Sequence, residues 1–140
     1  MLYLIFRANH DELTYRGGQG PIVHLEADLL DVVAWAEEKR LRWAFTTSNA
    51  GAYYFDDYCD LAQLKEINWE AVQAVRWSGS GISSSVKEGK QAEFLVERSF
   101  PGELVSRIGV KSMQMRSLVA EAIKLAQHQP KIEIKPDWYY

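Results

Sequence analysis

Short apolar runs separated by polar turns predict a chain of small strands with a few helices between them. Runs of residues that favour strands span residues 2–6, 22–25, 43–46, 72–77, 91–97, 108–110 and 131–134. Apolar residues recur at helical spacing over residues 113–127, and a second helix is predicted to follow Asp28 as its N-cap. Because the helices are interspersed irregularly among many short strands, the pattern predicts an α+β fold.

Glycine and serine mark the predicted turns and loops. Three glycines within residues 17–20 predict a tight turn, and residues 78–89, with five serines and three glycines, predict a mobile surface loop. Residues 47–51 form a short loop of small residues after the predicted strand 43–46. No repeat or long linker interrupts the chain, so its 140 residues predict one domain.

Composition narrows the class of protein. Hydrophobic residues make up 47% of the chain, which is typical of a globular protein. The single cysteine, Cys59, excludes an internal disulfide and a cysteine-based zinc site, and it favours a reducing, cytoplasmic setting. No apolar run approaches the roughly 20 residues that a membrane-spanning helix needs. The motifs of nucleotide-binding P-loops, zinc proteases and serine hydrolases are absent from the sequence.

Charge divides unevenly between the two halves of the chain. Residues 1–70 carry six Lys and Arg against twelve Asp and Glu, whereas residues 71–140 carry ten against seven. The net charge of −3 provides no basic field that would attract nucleic acid globally. If the protein binds an anion, the second half therefore offers the more favourable face.

The strongest candidate for chemistry is the pair Gln91 and Glu93. Residues two apart on a strand project from the same face, and this pair directly follows the predicted loop 78–89. Gln-x-Glu is common by chance, so on these residues alone a solvent-facing strand edge is the better interpretation. The scattered histidines, His10, His24 and His128, are predicted to be structural.

Two motifs change that interpretation: Gly-Gly-Gln-Gly-Pro-Ile at residues 17–22 and Lys-Gln-Ala-Glu at residues 90–93. With further segments, they give the chain a resemblance to the DarT family of bacterial toxins over essentially all 140 residues. The further segments are residues 1–3, 44–46, 67–73, 99–101 and 137–140. The resemblance implies a mixed sheet with short flanking helices, similar to that of other ADP-ribosyltransferases.

The resemblance also implies an activity. The family transfers ADP-ribose from NAD to thymidine in single-stranded DNA, and a macrodomain antitoxin removes the modification. The family's catalytic glutamate corresponds to Glu93, and Gln91 would orient that glutamate or the acceptor base. The preceding segment, residues 77–90, would present the DNA, with Trp77 stacking on a base and Lys87 and Lys90 holding phosphates. Ordinary packing explains Trp77 equally well. No metal is expected.

The chain departs from the family pattern at several positions. Its first residues match a point well inside the family sequence, so we expect a fold truncated at its N-terminus. Met1 and Tyr3 would then be what is left of the NAD-binding part, and the chain alone is expected to have little or no activity. Thr47 and Asn49 replace an Asp and a His that are usual in the family. An exposed N-terminal edge would favour self-association.

Two alternatives stay open from the sequence. In the first, the chain is a non-catalytic remnant that binds single-stranded DNA or an antitoxin. In the second, it is an α+β interaction domain in which Gln-x-Glu is incidental. The interaction domain predicts no thermal shift with either NAD or an oligonucleotide.

Overall fold

A computed structural model of the chain describes Ile5 and residues 14–140. The strands and helices, in chain order, are β1 (Val23–Ala27), α1 (Leu29–Glu38), β2 (Trp43–Thr46), β3 (Asp57–Tyr58), α2 (Trp69–Gln73), α3 (Ser84–Gly89), β4 (Phe94–Val96), β5 (Val105–Val110), α4 (Met113–Ile123) and β6 (Lys131–Ile134). Short 3-10 turns span Leu61–Glu66, Gly102–Leu104 and Pro136–Trp138. These small sheets and few helices confirm the predicted α+β class.

The described residues divide into two compact units. The first unit contains the residues up to Val32 together with Phe100–Tyr140, and the second is Val33–Ser99. The expectation of a single domain stays a prediction.

A mixed sheet organises the first unit. Its strands lie in the order β1-β5-β6, with β1 antiparallel and β6 parallel to the central strand. Val105, Ile108 and Val110 of β5 are buried, and Met115, Val119 and Ile123 of α4 pack against them at a spacing of four residues. This spacing keeps one face of α4 on the sheet, as the apolar periodicity predicted.

The C-terminal aromatic segment closes the first unit. Gly109 of β5 leaves room for the ring of Trp138, which a Cβ atom at that position would overlap. The Tyr139 hydroxyl donates a hydrogen bond of 2.6 Å to the Ile22 carbonyl at the start of β1. His24, also on β1, meets the rings of Trp138 and Tyr139 edge-on, and burial lowers its pKa. These contacts agree with the structural role predicted for His24.

An antiparallel sheet organises the second unit, with strand order β3-β2-β4. Phe45 on the central strand is buried and stacks against Tyr58 of β3. Helices α2 and α3 pack closely because Gly89 has no Cβ, which would lie 2.8 Å from the Cβ of Ala71. This sheet and these two helices carry the candidate site.

Two predictions of local structure ahead of Gln91 are wrong. Residues 72–77 do not form a strand, because the Asn68 side chain accepts a hydrogen bond from the Ala71 N–H and starts helix α2. The predicted loop 78–89 contains helix α3, whose N-cap is Ser83. Both helices begin at a side-chain cap that outweighs the local pattern.

Two further predictions concern the strand at residues 2–6 and the lack of a membrane-spanning helix. Of the predicted strand 2–6, only Ile5 is described, and it is helical. Among the described residues, no helix has both the length and the apolar character needed to cross a membrane.

Candidate active site

Glu93 lies directly before β4, where the pairing between β2 and β4 comes to its end. The Thr46 N–H donates a hydrogen bond of 2.8 Å to the Glu93 carbonyl. In return, the Glu93 N–H donates 3.0 Å to the Thr46 hydroxyl. Thr46 is completely buried and Glu93 is exposed. The buried residue therefore fixes the backbone of Glu93, while the carboxylate stays accessible to a ligand.

The loop that follows β2, residues 47–51, also contacts the Glu93 carboxylate. The Ala50 N–H donates a hydrogen bond of 3.1 Å to Glu93 Oε2. Within the loop, the Gly51 N–H donates 2.7 Å to Asn49 Oδ1, and the Thr46 hydroxyl donates 2.6 Å to the Ser48 carbonyl. These internal bonds order the loop and aim a backbone donor at the carboxylate.

Gln91 reaches the same loop by another route than the sequence predicted. It lies in a turn after α3 rather than on a strand, so the prediction that it shares a strand face with Glu93 is wrong. Its Oε1 atom accepts a hydrogen bond of 3.2 Å from Asn49 Nδ2, and its Nε2 donates 2.9 Å to the Lys87 carbonyl. Gln91 and Glu93 are thus brought together through the neighbouring residues Asn49 and Ala50.

A cleft of about 570 Å³ opens in the second unit, bordered by the same loop. Its lining combines aromatic rings, hydroxyls and three carboxylates: Thr47, Ser48, Tyr53, Tyr54, Phe55, Asp56, Glu66, Asn68, Ser84, Ser85, Glu88 and Gly89. Tyr53 and Tyr54 are 90% and 85% exposed, and their rings meet edge-on. Neither Gln91 nor Glu93 lines the cleft; the loop 47–51 connects them to it.

The basic residues predicted to hold phosphates differ in their surroundings. Lys90 Nζ donates a hydrogen bond of 2.6 Å to the Val72 carbonyl, and burial lowers the pKa of its ammonium group. Lys87 is half-buried on α3, and Trp77 is half-buried ahead of that helix. The Lys90 ammonium group is therefore already hydrogen-bonded within the protein. None of the described contacts involves the Lys87 ammonium group.

Some predicted features lie outside what the structure describes. Met1 and Tyr3, the candidate residues for NAD binding, are not among the described residues. Within residues 14–140, no cluster of three or more His, Cys, Asp or Glu side chains is arranged to hold a metal ion.

Thr46, Asn49 and Ala50 contact Gln91 or Glu93, although the sequence pattern does not point to them. The available signal was the run Thr46-Thr-Ser-Asn49, which places hydroxyl and amide groups directly after a predicted strand. Such groups often bond to neighbouring backbone and stabilise turns. Nothing in their spacing relates them to residues more than 40 positions away.

The arrangement suits chemistry on a bound ligand that develops positive charge. A fixed, exposed carboxylate can stabilise such charge or accept a proton. Gln91 adds an amide whose two polar ends are both held by the protein.

Comparison with known proteins gives concordant matches in sequence and in structure. The family described as "ssDNA thymidine ADP-ribosyltransferase, DarT" matches residues 1–140. A DNA ADP-ribosyl transferase of Thermus aquaticus is 38% identical over 144 residues, covering 100% of this chain and 58% of the relative. The corresponding protein of Thermus sp. strain 2.9 is 32% identical, covering 100% of this chain and 63% of the relative.

Solved structures of Thermus sp. 2.9 DarT superpose on the chain with a TM-score of 0.86 at 30% sequence identity. The complex with ADP-ribosylated single-stranded DNA is matched over 99% of this chain and 63% of its own. The complex with NAD+ is matched over 99% and 66%, respectively. These matches confirm the expected family resemblance and fold, and this chain spans about three fifths of the length of the relatives it matches.

Proposed function

Because this chain belongs to the DarT family, we propose that it transfers ADP-ribose from NAD to thymidine in single-stranded DNA. The observation that carries the proposal is the fixed carboxylate of Glu93, held by Thr46 at its backbone and by Ala50 at its side chain. The NAD and DNA complexes of Thermus sp. 2.9 DarT support the choice of donor and acceptor.

The proposed reaction balances without a metal or an oxidant. The bond between nicotinamide and the ribose C1′ breaks, and nicotinamide leaves with the electron pair. A nitrogen of the thymine base bonds to C1′ and gives up its proton. The Glu93 carboxylate stabilises the positive charge that develops on the ribose, and it accepts the proton from the base.

Gln91 has a supporting role in this proposal. The Asn49 amide and the Lys87 carbonyl hold the two ends of its side chain, so its orientation is set before a ligand binds. A fixed amide next to the catalytic carboxylate can orient the acceptor base through hydrogen bonds.

We assign the recognition of DNA bases to the cleft in the second unit. Aromatic rings stack on bases of any sequence, and Tyr53, Tyr54 and Phe55 supply three such rings. The carboxylates of Asp56, Glu66 and Glu88 repel phosphate, so a base rather than the backbone of the strand enters the cleft.

The phosphates of the strand are assigned to the segment 77–90. Lys87 is the better phosphate ligand in this segment, because Lys90 already donates to the Val72 carbonyl. Trp77 is proposed to add stacking area, as the family resemblance implies.

The family resemblance extends the proposal to the cell. We propose that the protein acts in the cytoplasm as the toxin of a toxin–antitoxin pair, opposed by a macrodomain protein that removes ADP-ribose from DNA. Self-association stays a proposal that sedimentation would test.

A second candidate function is a domain that binds single-stranded DNA or the antitoxin without transferring ADP-ribose. One observation favours this candidate: neither Gln91 nor Glu93 lines the cleft to which base recognition is assigned.

The decisive experiment is to incubate the protein with NAD and a single-stranded oligonucleotide and to measure adducts by mass spectrometry. The matched control is the same oligonucleotide with every thymidine replaced by deoxycytidine. The proposal predicts ADP-ribose on the thymidine oligonucleotide alone. Binding of the oligonucleotide without an adduct at any protein concentration would support the second candidate, and a lack of both would contradict ADP-ribose transfer and DNA binding alike.

A further inference from the structure

Thr46 lies between the backbone of Glu93 and the loop that holds the Glu93 carboxylate. We propose that its hydroxyl is the positioning group for Glu93, so that Thr46 sets the rate of ADP-ribose transfer without touching NAD or DNA. This inference rests on the proposed function, because it assigns Thr46 a role through the carboxylate that the proposal makes catalytic.

The hydroxyl of Thr46 takes the place of the Thr46 carbonyl, the acceptor that the Glu93 N–H would have in a regular antiparallel pair. Beyond the paired residues Phe45 and Phe94, the Thr46 N–H still donates to the Glu93 carbonyl, as in an antiparallel sheet. The described bond in the reverse direction runs from the Glu93 N–H to the Thr46 side chain. The side chain thereby lets β2 end and its chain turn into the loop 47–51, while Glu93 stays bonded to the strand.

The same hydroxyl also organises the loop. It donates 2.6 Å to the Ser48 carbonyl, against 3.4 Å to the Glu93 carbonyl. Since a hydroxyl has one proton, the shorter distance assigns that proton to Ser48. The oxygen still accepts from the Glu93 N–H, so one buried group joins Glu93 to the segment whose Ala50 N–H meets the carboxylate.

Burial explains why the residue needs both a hydroxyl and a small volume. Thr46 is fully buried, so water does not replace a hydrogen bond that is lost there. Valine has nearly the same shape as threonine but no oxygen, so it fills the space and leaves the Glu93 N–H without its acceptor. Serine keeps the oxygen and removes only a methyl group.

The test compares Thr46→Val with Thr46→Ser in the 140-residue protein. Phe45→Leu serves as a stability control, because Phe45 is buried on the same strand and contributes no polar group to the site. The measurements are kcat and KM for transfer to a thymidine oligonucleotide, together with hydrogen exchange at the Glu93 and Ala50 amides.

We expect Thr46→Val to lower kcat by about 10- to 100-fold with little change in KM, because displacement of a catalytic group affects the transition state. Thr46→Ser is expected to keep kcat close to that of the wild-type protein. Phe45→Leu is expected to lower the melting temperature and to leave kcat unchanged. The Glu93 amide is expected to lose its protection from exchange in Thr46→Val alone. A wild-type kcat in Thr46→Val, or equal losses in Thr46→Val and Thr46→Ser, would overturn the inference.

The exchange measurement separates this inference from the proposed function. If the wild-type protein transfers no ADP-ribose, the proposed function fails, whatever the amides show. If the wild-type protein is active but the Glu93 amide keeps its protection in Thr46→Val, the positioning role fails and the proposed function stands.

Discussion

The Ala50 N–H donates a hydrogen bond of 3.1 Å to the carboxylate of Glu93, although 43 residues separate them in the chain. The donor is a backbone group, so the identity of the Ala50 side chain does not determine this contact. What determines it is the course of the loop 47–51. Mutations that alter the loop are therefore expected to disturb the Glu93 carboxylate without changing Glu93 itself.

Lys87 and Lys90 are expected to respond differently to mutation. Lys87→Ala should weaken binding of single-stranded DNA and reduce the slope of log affinity against log salt by about 0.7. Lys90→Ala should instead lower the free energy of unfolding by about 1–2 kcal/mol, because the Val72 carbonyl loses its donor. Salt-dependent fluorescence anisotropy and urea unfolding separate the two effects; a larger loss of DNA affinity for Lys90→Ala, with unchanged stability, would reverse our assignment.

The aromatic side of the cleft is expected to contribute to DNA affinity. Tyr54→Ala should weaken binding by about 1–3 kcal/mol, the usual contribution of one stacked base. Tyr15→Ala is the matched control, because Tyr15 is an exposed tyrosine of the first unit that does not line the cleft. The affinities are measured by fluorescence anisotropy. Equal losses of DNA affinity in the two variants would mean that the cleft does not bind DNA.

Gly109 is expected to tolerate no side chain. In Gly109→Ala the new Cβ overlaps the Trp138 ring, so the free energy of unfolding should fall by about 1–3 kcal/mol. Gly102→Ala is the control, since a Cβ at that position meets no atom within 4 Å. Thermal unfolding followed by circular dichroism checks both variants; equal stabilities would mean that the C-terminal segment does not pack on β5.

The ion pairs of Glu133 are expected to make the stability of the fold depend on pH. Hydrogen bonds from Lys131 and Arg107 lower its pKa from 4.5 to about 2. Because the pKa is lower in the folded state, the stabilisation is present above about pH 4.5 and is lost as the pH falls towards 2. Glu133→Gln should therefore lower the melting temperature at pH 7, and the difference from wild type should shrink in acid.

Glu103→Gln is the control for this experiment, because it removes the same charge from an exposed 3-10 turn. A difference between Glu133→Gln and wild type that stays constant from pH 7 to pH 2 would mean that the ion pairs of Glu133 do not stabilise the fold.

The sequence predicted the elements whose signals are local. Strand Lys131–Ile134 and strand Trp43–Thr46 have the bounds that their apolar runs predicted. The Asp28 side chain caps α1, accepting from the Leu30 and Asp31 N–H groups. Helix α3 was missed because serines and glycines normally indicate a loop, whereas Ser83 acts here as an N-cap.

The candidate site could be predicted only in part. Gln91 and Glu93 were singled out by their spacing on a predicted strand and then by the Lys-Gln-Ala-Glu motif, but the strand that was expected to align them begins only at Phe94. The partners of both side chains come from the loop 47–51, which is remote in sequence. Contacts of this kind depend on tertiary packing, which local periodicity does not encode.

The most direct test of the account is the rate of thymidine ADP-ribosylation by Glu93→Gln relative to the wild-type protein. Glutamine keeps an oxygen for the Ala50 N–H and removes the charge, so folding and DNA binding should persist while the rate falls by about 100- to 1,000-fold. Glu97→Gln is the control, because Glu97 pairs with Arg42 at the other end of β4. A Glu93→Gln rate equal to that of Glu97→Gln would contradict the assignment of Glu93 as the catalytic carboxylate.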